Sequence, residues 1–291
     1  MNPNAITPLI LGVLTAAALA AWLMDTRNLI SKSPQTPATT LLGWITTLAT
    51  AALGVTRWLS SDDWQPLHSH LDGLVFIATL LGIAILYLAS RPRLGRVGVI
   101  GWPVMAFLLA WALCASAWTY RPFRLDSIEP VWRIVHLACV YLGTLFALLG
   151  AIAGVTYLLV YRSIKHHSLA ARPGLPSLEW TESAVIRATT LGFAMLTVGL
   201  ISGVVVVTAE PGRLGPDWWF SPKVLLAAIT WLVFALAMNV RHMSLFRGKR
   251  AAWLAITGLI LLLTVHGLVT AWPAYSDADN NSPTQDAEAA P

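Results

Sequence analysis

Charged side chains are scarce in this sequence: Asp, Glu, Lys and Arg make up only 11% of its residues, against roughly 25% in soluble domains. Such a composition argues against a soluble protein. The only two cysteines, Cys114 and Cys139, form no Cys-x-x-Cys or Cys-x-x-Cys-His sequence, which argues against a thioredoxin-like motif and a covalent c-type haem attachment. The sequence also contains no Walker A, dinucleotide-binding or His-Glu-x-x-His motif, which argues against an energised pump or a zincin-type metalloprotease.

Long apolar runs are abundant instead, since 56% of the residues are hydrophobic. About 20 apolar residues in a helix cross the hydrocarbon core of a bilayer, and backbone groups in lipid must be paired within helices. Eight such runs are present: Ile6–Met24, Thr39–Leu59, Leu71–Ala89, Val97–Trp118, Arg133–Tyr161, Ser183–Thr208, Pro222–Val240 and Ala252–Trp272. The sequence therefore predicts an all-α, polytopic membrane helix bundle with about eight transmembrane helices.

The orientation of the bundle follows from the loop charges. Lys and Arg concentrate in the first, third, fifth and seventh loops, whereas the even loops hold fewer and offset them with Asp and Glu. The positive-inside rule therefore predicts that both termini lie outside. We expect the membrane to be a bacterial-type plasma (inner) membrane. The net charge of +5 then reflects topology, so we expect the lipid bilayer and no nucleic acid as a partner.

Three regions are expected along the chain. Residues 1–130 form a four-span N-terminal half, and residues 131–275 form a second four-span half with a tryptophan-bearing loop at 209–223. Residues 276–291 are acidic and nearly without apolar side chains, so they should be disordered.

Two histidines, His136 and His266, lie within apolar spans. Ionisable side chains are rare in membrane helices and mark functional sites, although an imidazole can also serve as a hydrogen-bonded link between helices. Each histidine taken alone leaves both interpretations open. Both lie at similar depth near the outer face, and haem iron takes two axial ligands, so together they favour a bis-imidazole haem site with non-covalent haem b.

Four more side chains are candidates for this site. Trp218 and Trp219 are adjacent on the outer loop and would stack on a flat aromatic ligand, although tryptophans also anchor helices at membrane interfaces. Arg133 and Lys223 are candidates for the haem propionates and are equally typical interface anchors. His68 and His70 lie on the same outer side, with an undecided role, and His242 lies among cytoplasmic basic residues.

The second half of the chain, from Val131 to Trp272, resembles the cytochrome c assembly family of membrane haem-handling proteins (the CcsA, ResC and CcmC type). The resemblance rests on ordered segments: His136-Leu-Ala-Cys-Val-Tyr, Tyr161-Arg162-Ser-Ile-Lys165, Leu191 to Gly203, the tryptophan loop ending in Ser221-Pro222-Lys223, Ile229 to Ala235, and Arg247-Gly248-Lys249-Arg250. It implies that the outer loop presents haem between two external histidines, which correspond to His136 and His266.

The chain departs from the family pattern at several positions. In the loop, Trp218 and Pro222-Lys223 match, whereas Phe220, Ser221 and Val224 replace a tryptophan, an aspartate and a glutamate. Asn239 stands where haem-delivering members carry a cytoplasmic-side histidine. These departures resemble the HemX-like branch, which is associated with haem biosynthesis.

The resemblance implies a protein that holds haem at the outer face for attachment to apocytochrome c, together with a partner membrane assembly protein. We expect no autonomous catalysis, because the thioether chemistry belongs to haem and apocytochrome. Two alternatives stay open: a HemX-like protein that influences haem biosynthesis without cytochrome ligation, and an unrelated small-solute transporter.

Overall fold

A computed structural model describes residues 3–31, 33, 36–60, 67, 69–91, 97–118, 130–165, 176–209, 218–239 and 248–271. The described part of the chain contains helices and no strand, which confirms the predicted all-α class. The helices are α1 (Pro3–Ile30), α2 (Pro37–Leu59), α3 (His70–Ala89), α4 (Gly98–Trp118), α5 (Pro130–Lys165), α6 (Leu178–Ala209), α7 (Pro222–Asn239) and α8 (Lys249–Ala271). His68, His242 and the tail 276–291 lie outside the described residues.

Seven of these helices are long and apolar enough to cross a membrane. The shorter α7 has 18 residues, or about 27 Å, which is close to the hydrocarbon thickness of about 30 Å. The longest, α5, has 36 residues and spans about 54 Å, so it extends past the apolar run that predicted it. Its last turn carries Arg162 and Lys165, which suit the membrane–water boundary.

The start of α3 is fixed by a polar cluster. Ser69 caps the helix by accepting a hydrogen bond from the Asp72 amide at 3.3 Å, and the Asp72 carboxylate accepts one from the Ser69 amide at 3.0 Å. Arg57 near the end of α2 forms an ion pair with Asp72 at 2.6 Å. This cluster ties α2 to the first turn of α3, where His70 is the first helical residue.

Helices α1–α4, the N-terminal half, pack mainly on one another. Their shared core is aliphatic and includes side chains with no exposed surface, namely Leu11, Ile77, Leu81, Met105, Leu108 and Leu109. One stripe of α5 joins this core through Tyr141, Leu145, Leu148 and Ile152. The spacing of these four residues follows the helical repeat, so one face of α5 serves the N-terminal half.

Helices α5–α8, the C-terminal half, form a second packed group in which α6 and α8 lie against α5. Its buried apolar residues form two small clusters, one around Val185 and Ala255 and one around Phe234 and Leu262. The backbones approach closely where Gly154 of α5 meets Ala252 of α8. Small residues at such contacts are typical of membrane helix packing. Beside these contacts, the four helices of this half and the first turn of α3 line a cavity.

Candidate functional site

His136 is held in a groove between α5 and α6. Its Nδ1 lies 2.8 Å from the carbonyl oxygen of Gly199, and the Oγ of Ser202 lies 3.5 Å from the same nitrogen. A Cβ atom on Gly203 would lie 2.9 Å from the Cε1 of His136, so only glycine leaves room for the ring at this distance. Because a carbonyl oxygen can only accept, Nδ1 donates its proton and the neutral ring carries its lone pair on Nε2.

His266 is oriented by its own helix. Its Nδ1 lies 3.0 Å from the carbonyl oxygen of Leu262, one turn earlier in α8. The same argument assigns the proton to Nδ1 and the lone pair to Nε2. The Tyr141 ring of α5 lies beside this imidazole, with the two ring centroids 6.4 Å apart and the planes tilted by 50°. The two predicted histidines therefore share one tautomer, in which Nε2 carries the lone pair.

Both histidines line one cavity of about 320 Å³ that is partly open to the outside of the molecule. Five helices contribute to it, and its walls are mostly Val and Leu side chains of α5, α6, α7 and α8. The apolar lining includes Leu137, Val140, Leu196, Leu200, Val204, Val206, Val207, Val224, Ala227, Leu262 and Val265. The size is within the range of small-molecule sites, which are typically apolar pockets with few, well-placed polar groups.

The lining includes four polar or aromatic residues that were not assigned to the site from the sequence: His70, Tyr141, Thr230 and Trp231. Trp231 of α7 donates a hydrogen bond from Nε1 to the Oγ1 of Thr197 at 2.9 Å, and its ring centroid lies 5.4 Å from that of Phe193. The sequence could have indicated Trp231, because this tryptophan lies in the middle of an apolar run rather than at a membrane–water interface. Periodicity carries no signal that would bring His70 and Tyr141 to this cavity.

The described residues contain no group of three or more His, Cys, Asp or Glu side chains that could hold a single metal ion. The three histidines of the cavity are therefore arranged around a space and do not converge on one point. This arrangement is unlike a zinc site, in which three or four ligands meet at about 2 Å from the ion.

The model of the family described as "Cytochrome C assembly protein" matches residues 64–273, which is more than two thirds of the chain. The chain belongs to the cytochrome c assembly protein family. The match begins just before α3, so it includes His70 as well as His136 and His266. The similarity to the family, expected mainly from Val131 onward, therefore extends through α3 and α4 of the N-terminal half.

Several relatives of this family member carry the name cytochrome c biogenesis protein CcsA. The protein from Guillardia theta is 26% identical over 241 residues, which covers 77% of this chain and 78% of the relative. The protein from a Synechococcus species is 27% identical over 268 residues, covering 72% and 76%. The protein from Parasynechococcus marenigrum is 25% identical over 279 residues, covering 86% and 87%. No solved structure matches the chain.

The other predicted site residues are not among the described residues that line the cavity. Trp218 and Trp219 begin a 3₁₀ turn, Trp218–Phe220, that packs on α7. The Trp219 side chain is 56% exposed and is not among the described lining residues. Half-buried Arg133 lies one turn before His136, also outside that lining. The side chains of Trp218 and Lys223 lie outside the described part, so contacts of all four with haem stay predictions.

Proposed function

We propose that this protein holds haem non-covalently in the cavity at its outer side, with the Nε2 atoms of His136 and His266 as axial ligands, during cytochrome c assembly. One observation carries the proposal: two histidines 130 positions apart in sequence line the same apolar cavity, and each has its Nδ1 bound to a backbone carbonyl. Axial imidazoles in proteins are oriented in this way, by a hydrogen bond at the nitrogen opposite the metal.

The surroundings of the two histidines also support haem as the cargo. The Val and Leu walls suit the apolar face of a porphyrin, and Tyr141 and Trp231 offer aromatic surface. A single metal ion without a porphyrin would require ligands that meet at one point, and the described residues contain no such group. Two ligands around a space fit a planar molecule that carries its metal at the centre.

Haem supplies the reactive vinyl groups, to which the thiols of an apocytochrome c add to form thioether bonds. Among the described residues that line the cavity there is no carboxylate, lysine or cysteine. Its residues therefore bind and orient the cargo, and their apolar walls exclude water. A partner membrane assembly protein and the apocytochrome c would complete the reaction at the outer membrane face.

The HemX-like alternative is favoured by a specific observation at the inner end of α7. Asn239, which replaces the cytoplasmic-side histidine of the delivery proteins, is exposed and donates its side-chain amide to the carbonyl oxygen of Ala235 at 2.9 Å. This side chain belongs to its own helix and is no haem ligand. A protein that binds haem at the outer side without delivering it across the membrane would have this pattern. Family membership favours both haem functions over a small-solute transporter.

The absorbance spectrum of the detergent-purified protein, after haem is supplied, tests the ligand assignment. We expect the Soret and split α/β bands of bis-histidine haem. A His136→Ala, His266→Ala double variant should lose them, with the affinity for haem reduced on the order of 10- to 100-fold or more. His242→Ala is the matched control, because the charge rule places His242 at the opposite membrane face. A wild-type protein that stays colourless overturns the proposal.

Complementation separates the two haem functions. Cells that lack their own member of this family and carry its partner protein should form covalent cytochrome c when they produce this chain, as seen by haem staining of denaturing gels. Unchanged cytochrome c levels, together with a changed level of tetrapyrrole precursors, would support the HemX-like function instead.

A further inference from the structure

The cavity offers three imidazoles, whereas haem iron has only two axial positions. His136 and His266 belong to the C-terminal half, and His70 is the one residue of the N-terminal half among the described lining residues. His70 therefore reaches the cavity from a different packed group of helices than the other two histidines. Its position relative to His136 and His266 indicates its role.

Tyr141 connects the first turn of α3 to His266. The Tyr141 ring packs directly on the backbone of Gly73, where a Cβ atom would collide with it. His70 and Gly73 are three residues apart, so they lie on the same face of α3. Tyr141 also lies beside His266, with the two ring centroids 6.4 Å apart. His70 and His266 therefore both border the Tyr141 side of the cavity.

His136 faces a different direction. It lies five residues before Tyr141, which places the two side chains about 140° apart around α5. Its ring is held by Gly199 and Gly203 of α6, on the side away from α3. The three histidines thus divide into one on the α6 side and two on the Tyr141 side.

The position of His70 is well defined. It is the first residue of a helix whose start is fixed by the Ser69–Asp72 capping box and by the Arg57–Asp72 ion pair. The two charged side chains of that pair are only 12% and 16% exposed. His70 is therefore held at the wall of the cavity by α3, independently of α8.

We infer that His70 is an alternate axial ligand that shares one iron position with His266, whereas His136 serves the other position alone. The inference rests on the proposed haem-holding function. An exchange between α8 and α3 keeps two imidazoles on the cargo while contacts with α8 are released. The cavity can then open on the α8 side without leaving the iron with one protein ligand.

The test compares the spectra of haem-loaded variants. His266→Ala should keep the low-spin, bis-imidazole spectrum, because His70 takes the vacated position. Adding His70→Gln to His266→Ala replaces the imidazole with a polar side chain of similar size. This double variant should have a high-spin spectrum, and its haem retention should be reduced about tenfold or more. His242→Ala in the same His266→Ala background is the matched control and should stay low-spin. Size-exclusion profiles and far-UV circular dichroism check that each variant is folded.

The spectra of the wild type and the variants distinguish the role of His70 from the proposed haem-holding function. A high-spin spectrum in His266→Ala alone, while the wild type is low-spin, overturns the role of His70 and leaves the proposed function standing. A double variant that stays low-spin overturns it too, since the replacement ligand is then another residue. A wild type without a bis-imidazole spectrum overturns the proposed function itself.

Discussion

The two halves of this molecule are both built from apolar helices, but they differ in how closely these helices pack. In the N-terminal half, the aliphatic side chains of four helices close on one another and leave a continuous core with fully buried residues such as Leu81 and Met105. In the C-terminal half, the buried apolar residues form two small clusters, and the space above them is a cavity with histidines in its wall. Dense packing in the N-terminal half therefore supports the site from one side, whereas incomplete packing in the C-terminal half leaves the space for the cavity.

The largest effect is expected from a cavity made in the N-terminal core. Leu81→Ala should lower the free energy of unfolding by about 2–5 kcal/mol, because Leu81 is fully buried and neighbouring helices cannot collapse onto the gap. The measurement is denaturation in detergent micelles followed by circular dichroism. Haem bound per folded molecule should stay as in the wild type, since this residue is not part of the cavity lining.

Leu48→Ala is the matched control for that experiment. Leu48 is 60% exposed on α2, so its side chain contacts lipid or detergent in the folded protein and loses little on truncation. Equal destabilisation by the two substitutions would contradict the assignment of a tightly packed core to α1–α4.

A smaller but more specific effect is expected from closing the groove that holds His136. Gly203→Val adds side-chain atoms where even a Cβ lies 2.9 Å from the imidazole, so the ring must leave its hydrogen bond with Gly199. Haem affinity should fall on the order of 10- to 100-fold, as for other losses of a ligand-orienting contact. Titration with haem, followed at the Soret band, measures the change.

Gly12→Val gives the control for this substitution, because no atom beyond its chain neighbours and the backbone of its own helix lies within 4 Å of the position where its Cβ would be. It makes the same change of residue in a helix of the other half. If Gly203→Val retained haem as tightly as Gly12→Val does, His136 would not be the ligand, or the groove would not position it.

The smallest effect is expected at the aromatic wall of the cavity. Trp231→Phe removes the hydrogen bond to Thr197 while keeping an aromatic ring, which should reduce stability by about 0.5–1.5 kcal/mol. Thermal unfolding of the haem-loaded protein measures this loss. Trp253→Phe, at a 49% exposed position on α8, should change the melting temperature less. The opposite order would place the important tryptophan outside the cavity.

The helices were predictable from sequence because each apolar run must form one to cross a membrane. The structure has a helix at each of the eight runs, and seven of these helices are long and apolar enough to cross a membrane. That His136 and His266 line one cavity was predictable from their expected depth. The sequence places each near the end of a span, and the loop charges predict that both ends lie at the same membrane face. Helix ends were less predictable, since α5 and α6 continue through polar turns outside the hydrocarbon region.

His70 and Tyr141 were not recognised as cavity residues because no local pattern links them to the other half. Their location depends on the packing of α3 against α5, in which Gly73 admits the Tyr141 ring. Such contacts between distant segments follow from the shape of packed surfaces and not from periodicity. The tryptophan loop is the opposite case, because its composition pointed to the site. The exposed Trp219 of that loop is nevertheless not among the described residues that line the cavity.

The hydrogen-bond acceptors behind His136 and His266 are main-chain carbonyls, of Gly199 and Leu262 respectively. An acceptor of this kind is present whatever side chain occupies the position, provided that the helix keeps its course. Sequence drift on α6 and α8 can therefore alter the walls of the cavity while the orientation of both imidazoles is inherited unchanged. Chains with quite different linings can then share one orientation of the two imidazoles, and substitutions in the walls can change the shape of the cavity without disturbing that orientation.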